Sequence, residues 1–253
     1  MSTYVVGDIH GCFREWIRFK TKIERQDTNA EYILVGDILD KGPNSFEMLQ
    51  WAMERIHSGS KVQMVIGNHE AEKLDWLRYV LSNSEGKGWK DSKIARKMLS
   101  ADGYGFYQIC CEKRLNWKQL TEIRNWLEQL PVLIEKRVNT FEGIRKYIIT
   151  HDSHSALPIC SDTSRKENLS LHTKCSSDKL GKKQDYIVVH GHVPTALEPY
   201  KSMGAVPGKI WIQGQDINVD CGFVYGVSKA KGLYGDLAAL RLEDLQEFYY
   251  YNH

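Results

Sequence analysis

The side chains best able to do chemistry sit at five short sites: Gly7-Asp8-Ile9-His10-Gly11, Gly36-Asp37-Ile38-Leu39-Asp40, Gly67-Asn68-His69-Glu70, Thr150-His151-Asp152 and His190-Gly191-His192-Val193-Pro194. Carboxylate, imidazole and carboxamide groups together are a ligand set suited to Mn, Fe or Zn. Asp8 and His10 stand two residues apart, so in an extended segment they point the same way and can share one ion. Each site alone has a plainer reading, because Gly-Asp after a strand is often only a turn or a helix N-cap. The weight lies in five of them recurring in order along one chain.

Each site follows a short β-rich run, at residues 3–6, 32–35, 63–66, 147–150 and 186–189. Helix-like stretches at 12–24 and 45–57 separate the first three, an alternation that implies a largely parallel sheet covered by helices. Parallel strands end at one edge, where open α/β sheets hold their ligands. The sites should therefore converge there. From 71 to 130 the pattern turns mainly helical, with a loop expected at 83–92, and Pro131 closes it. We read 1–253 as one domain carrying a helical insertion at 71–130. The polar stretch from 152 to 183 is long for a plain connection, and 209–250 offers further strands and a second sheet.

The runs G-D-I-H-G, G-D-I-L-D-K-G-P, G-N-H-E and G-H-V-P together resemble the signature of the calcineurin-like metallophosphoesterases, and most nearly the bacterial and phage phosphoprotein phosphatases. The resemblance runs from Asp8 to about Cys221. It implies an α/β fold, a β-sandwich flanked by helices in an α-β-β-α arrangement. It also implies two divalent metal ions, Mn foremost, with Fe, Zn or Mg as alternatives. Asp8 and His10 would bind the first ion, Asp37 both, and Asn68, His151 and His192 the second, with His190 the rival of His192. His69 would be the general acid and Asp40 its partner, while two ions clamp the phosphate and share a water that attacks phosphorus in line. The substrate would be a phosphoserine or phosphothreonine protein, or a small phosphorylated molecule.

Several positions depart from that pattern. Lys41 stands where the phosphatases carry Arg, exchanging a planar fork for a flexible point charge. Lysine here is a feature shared with the ApaH-like branch, whose members resemble dinucleoside polyphosphate hydrolases; Asp40 argues for the phosphatase side. Lys41, Asn68 and Arg165 are the candidates for phosphate contact, Arg165 equally suited to a solvated loop. His154 could compete with His151. His57, His172 and His253 read as surface residues, and Cys12 as a buried packing residue rather than a reactive thiol. Tyr249 to Tyr251 suit a core-facing last strand. A partner-binding scaffold without activity is the reading from another class, and the full ligand set speaks against it.

Composition narrows the field. The chain has 253 residues, 42% hydrophobic and 26% charged, with a formal charge of only +2, so the basic footprint of a nucleic-acid binder is missing. Pro194 stands where many nucleases of the superfamily have a histidine. The six cysteines form no C-x-x-C pair, no apolar run spans a bilayer, and the motifs begin too early to leave room for a secretory leader. A cytoplasmic protein with reduced thiols and no membrane partner is the expectation.

Overall fold

The computed structural model describes residues 1–57, 59–83, 104–153, 185–228 and 235–251. Strands β1 (Thr3–Val6), β2 (Glu31–Leu34) and β3 (Val62–Met64) alternate with helices α1 (Phe13–Glu24), α2 (Ser45–Arg55) and α3 (Asn68–Asn83). Two further helices, α4 (Tyr104–Glu112) and α5 (Trp117–Gln129), lead to the hairpin β4 (Leu133–Thr140) and β5 (Gly143–Thr150). The chain continues through β6 (Ile187–His190), β7 (Trp211–Gln213), β8 (Asp216–Asn218), α6 (Phe223–Ser228), β9 (Leu237–Arg241) and β10 (Glu247–Tyr250).

Among the described residues, ten strands form two five-stranded sheets, in the orders β10-β9-β1-β2-β3 and β4-β5-β6-β8-β7. β1, β2 and β3 are parallel neighbours, with Val6 beside Leu34 and Leu34 beside Met64. In the second sheet β5, β6 and β8 are parallel. The remaining pairs are antiparallel, so both sheets are mixed, because the C-terminal strands return along the first sheet and hairpins finish the second.

Successive residues of a strand face opposite sides, and β1 uses both. Tyr4 and Val6 join a core with Trp16, Phe19, Met48, Leu74, Leu77 and Leu127 beneath the helices, while Val5 joins Ile33, Tyr147, Ile149, Val189, Ile217 and Leu240 between the sheets. Both faces of the central strands are thus buried, which is why they read as unbroken apolar runs. Helices α1 to α6 all place their buried apolar side chains in the first core. The two sheets are tied by the Tyr147 hydroxyl, which donates to the Leu242 carbonyl at 2.8 Å.

The expected helical stretch begins earlier than Ala71. α3 starts at Asn68 and so carries site residues itself. Asn83 ends α3, and the rest of the expected loop lies outside the described residues. Helix α5 begins with a reciprocal cap, the Asn116 side chain accepting from the Gln119 N–H and Gln119 from the Asn116 N–H. Phe248 and Tyr250 pack against the helix-side core and Tyr249 against the layer between the sheets, as expected of a core-facing last strand, but Tyr251 lies past the end of β10 and is exposed. Asn116→Ala removes the cap and should lower stability by about 1 kcal/mol, read as a lower urea midpoint at unchanged slope.

Candidate metal centre

The C-terminal ends of β1, β2, β3, β5 and β6 meet at one edge of the two packed sheets. Backbone bonds lock the loops that leave them: His10 and Gly11 donate to the carbonyls of Asp37 and Ile38 at 2.9 and 2.7 Å, and Gly191 donates to His151 at 3.0 Å. Two glycines let backbone close on carboxylates. A Cβ at Gly191 would lie 2.1 Å from Asp8 Oδ1, and one at Gly67 2.3 Å from Asp37 Oδ1. His10, Asp37, Asp40, Lys41 and His192 all hold positive φ, between 45° and 75°. Such backbone persists only where the surroundings over-determine it, and it clusters at functional sites.

Asp37 lies at the centre. Its Oδ2 is 3.8 Å from both His10 Nε2 and His69 Nε2, and its Oδ1 is 3.4 Å from His151 Nε2. Two candidate metal-holding groups therefore share this one residue, His10-Asp37-His69 and Asp37-His151-His192, each with its ligand atoms within 4.8 Å of one another. Asp8 faces the second group, accepting the His192 backbone N–H at 3.2 Å. Asn68 Oδ1 lies 2.9 Å from His151 Nε2 and 2.8 Å from His192 Nδ1.

Hydrogen bonds behind the rings aim them. His10 donates its Nδ1–H to the Leu39 carbonyl at 2.9 Å and His151 its Nδ1–H to the Val35 carbonyl at 2.8 Å, leaving Nε2 of each for a ligand. A neutral His151 then sets two lone pairs, its Nε2 and Asn68 Oδ1, face to face. A cation between them would relieve that repulsion, so the donor set fits a metal ion. Burial opposes a charge on His151, yet Asp37 outweighs it and pushes the imidazole up to about 10. Asp37 itself, despite burial, is held well below the usual carboxylate range by His151 and His69.

Of His190 and His192, it is His192 that joins the cluster. His190 turns away, with its Nε2 3.0 Å from Asp216 Oδ1, off the ring N–H direction, and 3.4 Å from the Tyr200 hydroxyl. His69 donates Nδ1–H to Asp40 Oδ2 at 2.6 Å, the pairing expected of the two. Lys41 is exposed over much of its length, but its Nζ lies 3.0 Å from His10 Nε2, at the mouth of the site. Cys12 is fully buried, and burial pushes its thiol up to about 12, away from reactivity. His57 is exposed, as expected. Arg165, His154, His172, His253, Cys160 and Cys175 lie outside the described residues.

Three residues of the site were not assigned roles from the sequence. Glu70, fully buried, accepts four backbone N–H groups: Asp37 at 2.8 Å, Ile38 at 3.1 Å, and Leu39 and Gly67 at 3.2 Å. It clamps the second and third site loops together. Burial and the neighbouring Asp37 push its carboxyl up, to about 7, while the donors favour the charged form. Asp220, buried behind Asp8, accepts the Gly222 N–H at 2.8 Å, and burial raises it to about 6. Its signal was available: after β8 the run Asn-Val-Asp-Cys-Gly repeats the pattern of acid and glycine past a strand end. The third, Lys73, is buried in α3 beside Asp40.

This edge thus gathers two candidate metal-holding groups around one shared carboxylate. Residues 1–228 match the family profile of calcineurin-like phosphoesterases, and the chain belongs to that family. Among curated proteins it is 30% identical over 151 residues to the symmetrical bis(5'-nucleosyl)-tetraphosphatase of Photorhabdus laumondii, covering 60% of this chain and 44% of that protein. It is 36% identical over 133 residues to the enzyme of the same name from Klebsiella pneumoniae, covering 53% and 38%. The match thus spans less than half the length of these relatives. A solved structure of a candidate diadenosine tetraphosphatase aligns with TM-score 0.55 at 19% identity, over 100% of this chain and 95% of that one. The cold-active protein-tyrosine phosphatase of a psychrophilic Shewanella aligns with TM-score 0.50 at 15% identity, over 98% and 80%. Both structures show the fold. No described helix is long and apolar enough to cross a membrane.

Replacing Glu70 by Gln leaves one acceptor oxygen for four donors and aims an amide NH2 at two of them. We expect a loss of about 3 kcal/mol in urea unfolding together with reduced bound metal by elemental analysis, whereas Glu72→Gln, nearer the surface, should retain its metal.

Proposed function

We propose that this chain hydrolyses phosphoric anhydrides of the dinucleoside polyphosphate kind, with Asp8, His10 and Asp37 holding one divalent ion and Asp37, Asn68, His151 and His192 the other. The observation that carries the metal reading is Asp37, one carboxylate between two histidine groups. Two bound ions would neutralise phosphate charge and make a water nucleophilic near neutral pH. The protein's own groups do the rest. Lys41, at the mouth beside His10, is placed to meet a phosphate oxygen as a mobile point charge, which suits a polyphosphate chain offering several equivalent oxygens. His69 faces the site through Nε2 and is held from behind by Asp40.

The relatives favour this substrate class, the second of the two readings raised from the sequence. The phosphoprotein reading keeps one supporting observation, the Asp40-His69 pair. An alkoxide departing from serine or threonine needs a proton, whereas a departing nucleoside diphosphate is a weak base and leaves without one. Lys41 in place of a planar Arg fork counts the other way.

A single Mn-loaded preparation assayed against diadenosine tetraphosphate and a phosphoserine peptide separates the two. Higher kcat/KM on the anhydride, by about tenfold or more, is expected. Faster phosphopeptide cleavage would reverse the assignment. Mg, Zn and Fe loading in the same assay ranks the metals, with Mn expected to be the most active.

A further inference from the structure

Lys73 is fully buried, on a helix whose Leu74, Trp76 and Leu77 belong to the first core. Its ammonium meets the Asp40 carboxylate through Oδ2, the same oxygen that takes the His69 Nδ1–H at 2.6 Å, and it meets Glu72 Oε2 at 2.7 Å. His69 and Lys73 stand one turn apart on α3, so both reach the same carboxylate. Taking an ammonium out of water is expensive, and an apolar residue of similar volume is often as stable or more so in such a place. Asp40 also sits at φ 65° in a loop that presents it to α3. A buried cation aimed at one strained carboxylate, itself bound to the ring that faces the site, points to a task beyond packing.

We propose that Lys73 is a positioning residue for proton delivery: it anchors Asp40, which in turn fixes the tautomer and direction of His69. The inference rests on the reading of this edge as a phosphoesterase centre and concerns its cleavage of esters, whose departing alkoxide needs a proton that His69 would donate. In the step concerned, water oxygen bonds to phosphorus and gives up its proton to solvent, while the P–O bond to the leaving group breaks. That bond's electron pair goes to the departing oxygen, and the Nε2 proton of His69 moves onto it. Nδ1–H stays on Asp40 throughout. Without Lys73, Asp40 keeps its ring contact but loses the second anchor, and His69 can turn away from the departing oxygen.

The effect should depend on how much the leaving group needs that proton. The test uses full-length, metal-loaded protein and aryl phosphates, phenyl phosphate as the poor leaving group and 2,4-dinitrophenyl phosphate as the good one. For Lys73→Met, kcat on phenyl phosphate should fall by about 10- to 100-fold, within the range that proton delivery supplies, with KM changed less than about twofold. On 2,4-dinitrophenyl phosphate the loss should stay under about threefold, at unchanged metal content. Lys73→Gln, which keeps a hydrogen-bond donor at lower risk to folding, should show the same pattern at smaller size. In an Asp40→Asn background, Lys73→Met should add nothing.

Equal losses on both substrates, or an additive loss on top of Asp40→Asn, would overturn the proposal. His69→Gln separates this failure from failure of the underlying reading. If His69→Gln shows the leaving-group dependence and neither Lys73 variant does, the positioning role alone falls. If His69→Gln shows none, the assignment of His69 falls and takes the proposal with it.

Discussion

The structure turns on one buried carboxylate that must serve two places at once. Asp37 lies between His10 and His69 on one side and His151 and His192 on the other. Three backbone features bring it there: the parallel pairing of β2 with its neighbours, a positive φ at Asp37 itself, and glycines where a side chain would strike the acid. Glu70 completes the arrangement by gathering the N–H groups of the Asp37 loop and of Gly67 onto one carboxylate. Concentrating this many acidic and basic groups in a buried edge opposes folding unless each is paired. The apolar faces of α1 to α5 and the inter-sheet layer supply the stabilisation that offsets it.

Much of this was legible in the sequence because the chemistry and the fold use the same punctuation. A short apolar run, a glycine and a ligand-type residue mark a strand end, and β1, β2, β3, β5 and β6 were all visible that way, within a residue or two at the strand ends next to the site. Other features were hidden for physical reasons. β4 is an edge strand with Glu135, Lys136 and Arg137 in its middle, so no clean alternation betrays it. His192 was the preferred ligand, and His190 stayed its rival because residues two apart share a face in a strand. The strand ends at His190, and the positive φ at His192 swings that ring into the cluster while His190 turns to Asp216. Nothing in the sequence singled out Lys73 within a helical stretch rich in Lys and Glu. Its burial follows from the packing of α3 on the sheet, which periodicity alone did not show.

The manner of phosphate contact turns on a single place. Here Lys41 reaches the mouth of the site next to His10, and Tyr225 lies under its ammonium at 5.7 Å. A flexible cation over an aromatic ring can follow a phosphate chain, but it does not fix two oxygens of one phosphate as a guanidinium fork does. The Asp40-His69 pair, with Lys73 behind it, is the counterweight, because a proton donor there would serve esters more than anhydrides. Substrate preference is a contest between those two features of one site.

The central claim, that one carboxylate holds two ions together, is most directly tested by counting bound metal in Asp37→Asn beside the unaltered protein, using elemental analysis after Mn loading and gel filtration. The account predicts about two ions per unaltered chain, fewer than one in the variant, and phosphoesterase activity lower by three orders of magnitude or more. Two ions retained in Asp37→Asn with activity intact would contradict it.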